Sequence, residues 1–305
     1  MDDLTRMGSL RLRTDATSPF LAVGHDVPNL VQLADLADAA HSVETDADDL
    51  DAVRRLVNAG SASLGGARPK ASVTDGDRLM IAKFASTRDE IEVVAWEKLC
   101  LDLAARAGIT VPASRLLPVG RSRCLVLDRF DRTESGRVPY LSGFAITEAA
   151  DAASGDYLDL AEALADLDID DLAGTLRQLW RRTAFSIAMR NTDDHLKNHG
   201  VLWSSSGWRL SPAFDITPNH IGGAPRATSI DGEDLPVREA PALIGLAHAF
   251  GIPEARWQPI LADVLTATSG WRTHAHTLRL SEHDIALLER PLTQAQQRLT
   301  EAWAH

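Results

Sequence analysis

Apolar residues recur at helical spacing over 28–40 (Leu30, Leu33, Leu36, Ala39) and again over 46–59 (Leu50, Val53, Leu56), which predicts two helices. A stretch rich in glycine and serine, 60–70, then precedes two runs that read as strands, 71–73 and 78–84, joined by a turn at Asp75-Gly76-Asp77. A helix over 90–107 ends at Gly108, and 111–118 and 123–130 read as two further strands with a turn at Gly120. A short strand is also expected at 9–13, with Leu10 and Leu12 on one side. Beyond residue 130 the pattern becomes mostly helical. It predicts a long helix over 170–190, a hairpin of 201–203 with 208–210, and helices at 240–250, 254–268 and 283–303. The acidic stretch 149–171 reads as a loop with a helix. The expected fold is α+β with two lobes, a small sheet-containing lobe over 1–130 and a mostly helical lobe over 131–305, with a nucleotide in the cleft between them.

Composition narrows the function classes. The 305 residues are 45% hydrophobic and 24% charged, ordinary for a soluble globular protein. A formal net charge of −12 gives no electrostatic footprint for nucleic acid, so no direct nucleic-acid binding is expected. Cys100 and Cys124 sit in apolar sequence and read as two buried thiols of a reducing compartment. The charged N-terminus does not read as a signal peptide, and no apolar run approaches the ~18 residues of a membrane span. A cytoplasmic location is expected. The seven tryptophans mostly fall on apolar faces and read as core, and the remaining histidines show no metal spacing.

The chemistry concentrates at Asn191-Thr192-Asp193-Asp194-His195-Leu196-Lys197-Asn198, followed by Phe214-Asp215-Ile216. Phosphoryl transfer from ATP needs a carboxylate to orient the attacking hydroxyl, and an amide oxygen and a second carboxylate to hold metal ions. Protein kinases use the Asp193-to-Asn198 separation in their catalytic loop and place a magnesium-binding Asp beyond it. Asp193 is thus the expected base, Asn198 and Asp215 the expected metal ligands. Phe214 is expected to pack so as to fix Asp215. His195 and Lys197 are expected against the phosphates, with Asp194 facing solvent. Upstream, Lys83 is a lone charge inside the apolar run 79–84, a costly position unless the ammonium is paired. In kinases such a lysine contacts the phosphates and is held by a glutamate of the next helix. From the residues alone Glu90, Glu92 and Glu97 all compete for that place.

These segments together resemble the HipA family of bacterial toxin–antitoxin serine/threonine kinases, which carries Thr-Asp-x-His-x-Lys-Asn followed by a hydrophobic-Asp-Ile turn. The resemblance implies a protein-kinase-like, HipA-like fold that uses ATP and Mg2+, and it selects Glu97 as the partner of Lys83. It aligns Ser63-Leu64-Gly65-Gly66-Ala67-Arg68-Pro69-Lys70 with the family's phosphate-covering loop. Gly65, Gly66, Ala67, Arg68 and Lys70 thereby become ATP-binding residues, and Ser63, with Ser61 beside it, the autophosphorylation site. It aligns Asp128-Arg129-Phe130-Asp131-Arg132 with the hinge, whose Asp128 and Phe130 backbone would meet adenine. The match begins near Met7, which implies a short form without the extra N-terminal subdomain, supplied in some systems by a separate protein. A HipB-like helix-turn-helix antitoxin and a protein substrate such as an aminoacyl-tRNA synthetase are the implied partners. Two other readings stand beside it: a catalytically weak nucleotide-binding scaffold in a repressor complex, and a small-molecule or lipid phosphotransferase.

Overall fold

The computed structural model describes residues 4–21, 27–46, 48–61, 64, 68–134, 136–151 and 155–303. The chain divides into two compact units. The first takes residues 1–98 and 112–140, the second 99–111 and 141–305. The boundary thus falls ten residues beyond the one expected at 130, and the stretch 99–111 belongs to the helical unit. The reason is its bonding there. Arg181 donates to Ala107 O, Ala213 N donates to Thr110 O at 2.8 Å, and His274 meets Asp102 at 2.9 Å.

In the first unit, β1 (Lys70–Asp75), β2 (Arg78–Phe84), β3 (Ser114–Val119) and β4 (Ser122–Asp128) form an antiparallel sheet in the order β1-β2-β4-β3. Both hairpins close with two residues, since Asp75 pairs with Arg78 and Val119 with Ser122. Gly76 and Gly120 supply the positive φ (61° and 57°) that such tight turns need. One sheet face carries Ala71, Val73, Met80, Ala82, Phe84, Cys124 and Val126. It packs under α1 (Leu33–Thr45) and α2 (Leu50–Asn58), whose Leu33, Leu36 and Leu56 complete the core. Both cysteines are buried free thiols, and burial pushes the Cys124 thiol up to about 12.

The expected strand at 9–13 does not form. Leu10 and Leu12 are exposed, and the segment's one bridge joins Arg13 to Phe20. Alternation alone made the prediction, and among the described residues no strand stands beside it to supply a ladder. What fixes the N-terminus lies just before it. Asp131, fully buried, accepts from Gly8 N at 2.7 Å and from the Arg129 and Arg132 guanidinium groups, which also hold the carbonyls of Leu4, Thr5 and Arg6.

In the second unit α3 (Val93–Arg106) ends, and α4 (Gly143–Ile146), α5 (Tyr157–Ala165), α6 (Leu172–Ala188), α7 (Glu239–Ala249), α8 (Glu254–Ser269), α9 (Trp271–Thr277) and α10 (Glu282–Trp303) follow. After the short strands β5 (Arg132–Thr133), β6 (Gly136–Arg137), β7 (Tyr140–Ser142) and β8 (Gly155–Asp156), the hairpin of β9 (Gly200–Ser204) with β10 (Gly207–Leu210) forms where the pattern placed it. Trp180, Trp257 and Trp271 are core in this unit, whereas Trp203 is exposed and stacks edge-on against Trp208. Among the described residues no helix is long and apolar enough to cross a membrane.

Candidate active site

β2 lies between β1 and β4, so Lys83 is no edge-strand lysine. Side chains alternate along a strand. Met80, Ala82 and Phe84 therefore enter the core, and Lys83 points to the opposite face. There its Nζ stands 2.7 and 2.9 Å from the two carboxylate oxygens of Glu97 on α3, and both residues are buried. Glu97 is thus the partner among the three acids. Glu92 pairs with Arg123 instead, and Glu90 is exposed. Lys70 is buried directly opposite Lys83 in the β1–β2 register. The side chains of Lys70 and Lys83 therefore share one sheet face.

The rest of the expected nucleotide residues of this unit are placed less uniformly. Arg68 forms a bidentate pair with Asp89 at 2.6 and 2.8 Å. Ser61 is half-buried at the end of the α2 connection. Ser63, Gly65, Gly66 and Ala67 lie outside the described residues. At the expected hinge, Asp128 already donates its N–H to Ala113 O at 2.9 Å, which leaves no donor there for an adenine edge. The Arg129 guanidinium is held inside the Asp131 pair, so its visible work is anchoring the N-terminus. The Phe130 ring is half-buried, tilted 48° against Tyr140.

In the second unit α6 delivers the 191–199 loop. Arg190 takes a left-handed φ of 55° after the last turn, and Asn191 N reaches back to Ser186 O at 2.8 Å. The segment after β10 then clamps the loop. Ala227 N donates to Thr192 O at 2.8 Å, and the Asn219 amide donates to Thr192 Oγ1 at 2.7 Å. Gly155 and Gly143 press on its far side. A Cβ at Gly155 would stand 2.5 Å from Leu196 Cγ, and one at Gly143 2.7 Å from Leu196 O.

Within the loop two adjacent carboxylates have opposite fates. Asp193 is exposed. The protein mass around it raises its pKa above the ordinary carboxylate range; His195 opposes the shift, while Asp215 and Asp194 add to it. Asp194, expected to face solvent, is instead buried. It accepts a hydrogen bond from Tyr157 and lies 3.0 Å from His199 Nε2. Burial works to raise its pKa, but His199, Tyr157 and the Arg226 charge outweigh that and hold it well below the usual range. The turn at 192–194 sends the two side chains in opposite directions, and the inward one finds partners that make burial of its charge tolerable.

Asn198 donates its amide N–H to Asp193 O at 3.2 Å, which leaves the amide oxygen as a donor to a metal. Asp215 is half-buried with φ at 60°, close enough to Asp193 to raise its pKa. Phe214 is half-buried beside it. Lys197 is exposed, 5.3 Å over the Phe144 ring, and His195 is half-buried with an unpartnered Nδ1. The described residues contain no cluster of three or more metal-ligating side chains. Magnesium does not require one, since it binds through one or two carboxylates plus phosphate oxygens and water. An amide oxygen and the Asp215 carboxylate fit that donor set.

Sequence reasoning missed the shell behind the loop: Tyr157, His199, Arg182 and the buried pair of Arg226 with Glu239 at 2.9 Å. Arg182 was the most visible of these, as a charge among apolar residues in α6, and burial pushes it down to about 10.

A family model described as HipA-like C-terminal domain matches residues 62–271. The structure is similar to HipA of Shewanella oneidensis MR-1, solved with HipB and operator DNA, at a TM-score of 0.66 and 17% identity. That alignment covers 80% of this chain and 67% of that one. It is also similar to the Helicobacter pylori proinflammatory kinase CtkA, with a TM-score of 0.52, 12% identity, and coverage of 79% and 92%. No curated protein matches the sequence. With more than half its length matched, including the Lys83 strand and the whole 191–216 stretch, the chain belongs to the HipA family through its HipA-like C-terminal domain.

Proposed function

We propose that the protein is an ATP- and Mg2+-dependent serine/threonine-protein kinase, acting as the toxin of a toxin–antitoxin pair. The observation that carries this is the buried Lys83–Glu97 ion pair. A buried pair is weak evidence for stability, because desolvation offsets most of the attraction, so its use is better sought in handling charge. In this reading Lys83, held by Glu97, takes the nucleotide's phosphates, with Lys70 adding charge on the same sheet face. Asn198 and Asp215 hold magnesium, which supplies neutralisation of phosphate charge when bound. Asp193 accepts the hydroxyl proton of the substrate, a task that suits an exposed carboxylate with a raised pKa. Lys197 and His195 lie in the same loop and suit contact with phosphate oxygens.

The finer assignments rest on the family. HipA of Shewanella was solved with HipB, which supports a HipB-like helix-turn-helix antitoxin as partner. An aminoacyl-tRNA synthetase as substrate, and Ser63 or Ser61 as autophosphorylation sites, follow the family pattern. The test is incubation of the purified chain with ATP and Mg2+, with phosphosites mapped by mass spectrometry. Phosphate on Ser63 or Ser61, absent from Asp193→Asn, supports the kinase. A folded chain that binds ATP and transfers nothing points to the scaffold.

A further inference from the structure

The second unit carries a groove of about 740 Å3 between α6, β10 and α8, which shares Arg182 with the shell behind the 191–199 loop. Its lining runs against the character of the chain. In a protein of net charge −12 it presents five arginines and two aspartates. Arg177, Arg181 and Arg182 come from α6, Arg209 from β10 and Arg256 from α8. Arg177 and Arg181 are one helical turn apart, a like-charge spacing that destabilises a helix. The two aspartates are already engaged. Asp171 caps α6 through Gly174 N at 2.8 Å and stands 4.0 Å from Arg177, and Asp170 accepts from Ser206 Oγ at 2.9 Å.

The groove also concentrates unpartnered polar atoms. Arg182 is 6% exposed; its Nη2 donates to Ser211 O at 2.6 Å, while Nε and Nη1 have no hydrogen-bond partner. Arg181 Nε and Gln178 Oε1, buried atoms of the same lining, have none either. Leaving buried polar groups unsatisfied is costly. Arg181 is paired with Asp263 at 3.1 Å and donates to Ala107 O, and Arg182 stands near the Asp194 charge, yet three guanidinium N–H donors of the two stay unfilled, which suits an anion.

The geometry points to a phosphomonoester of a small hydroxylated metabolite as the ligand, and we propose this groove as its binding site. Guanidinium groups arriving from three elements suit a tetrahedral dianion, which accepts from several directions, better than a planar carboxylate. The volume falls in the range of roughly 300–1,000 Å3 typical of small-molecule sites and exceeds the needs of free phosphate. Gln178 Oε1 calls for a donor on the rest of the ligand, such as a hydroxyl.

The test is calorimetric titration of the full chain with glycerol 3-phosphate and with inorganic phosphate, at fixed ionic strength. A non-hydrolysable ATP analogue and Mg2+ are kept saturating so that the nucleotide residues are filled. The expected result is saturable one-to-one binding with Kd below about 1 mM, tighter for the ester. R177A/R256A, which changes rim residues, weakens it at least tenfold with an unchanged melting temperature. R182M abolishes it where that variant folds. No saturable heat up to about 10 mM, or binding indifferent to R177A/R256A, overturns the site. Equal affinity for inorganic phosphate and the ester refutes the metabolite and leaves an oxyanion site only.

Discussion

The neighbouring carboxylates Asp193 and Asp194 offer a paired test, because one account assigns them unrelated jobs. Asp194→Ala removes the acceptor of Tyr157 and the partner of His199, and leaves Arg226 and Arg182 with less compensation. Hydrogen bonds to a charged group contribute about 1.5–3 kcal/mol each, so two amount to about 3–6. Breaking a buried pair by removing one partner costs about 3–5 kcal/mol. We expect a loss near 4 kcal/mol, which lowers the melting temperature of a unit this size by about 8–16 °C. Asp193→Asn changes an exposed side chain, so stability should stay within about 0.5 kcal/mol. Its transfer rate should fall by about 10²–10⁴, the usual contribution of a positioned base. Thermal melts of both variants, beside ATP-dependent phosphate transfer, read out the two effects separately. The reasoning is refuted if Asp194→Ala melts like the wild type but loses transfer, while Asp193→Asn stays active.

Other outcomes follow from the same contacts. Glu97→Gln should raise KM for ATP, lower kcat and, by leaving the buried Lys83 charge uncompensated, destabilise by about 3–5 kcal/mol, while Glu92→Gln, whose partner is Arg123, should leave KM for ATP unchanged; steady-state kinetics and thermal melts check both. Asp131→Ala should destabilise the first unit by about 3–5 kcal/mol and open residues 4–8 to proteolysis, visible as early N-terminal cleavage. Acid should take activity before stability. Asp193, with its pKa raised, protonates above the ordinary carboxylate range and loses its function as base there. Asp131 and Asp194 have depressed pKa values; their stabilisation is full above the unfolded carboxylate pKa and disappears only as pH falls through their lower folded values. A pH series of transfer rates and melting temperatures should show the two declines apart.

Where regular structure places a group, the sequence was readable. Lys83 stood out because a strand of alternating faces has no cheap place for an unpaired charge, and α10 and α8 formed within a residue of their expected bounds. The 191–199 loop shows the limit. It has no periodicity, so two adjacent aspartates carry no local sign of which one turns inward. Asp194's burial depends on Tyr157 of α5 and on His199, one of them 37 positions away. The Arg129–Asp131–Arg132 cluster shows it too. Nothing in that charged string signals that its guanidinium groups hold the carbonyls of residues 4–6.

The central claim, that Lys83 with Glu97 and the trio Asp193, Asn198 and Asp215 serve phosphoryl transfer, meets its most direct test in γ-labelled ATP. Purified wild type, Lys83→Met and Asp215→Asn are compared with Mg2+ and with EDTA. The account predicts label on protein in the wild type with Mg2+ alone, and none in either variant or in EDTA. Equal labelling by wild type and Asp215→Asn, or labelling that persists in EDTA, contradicts it.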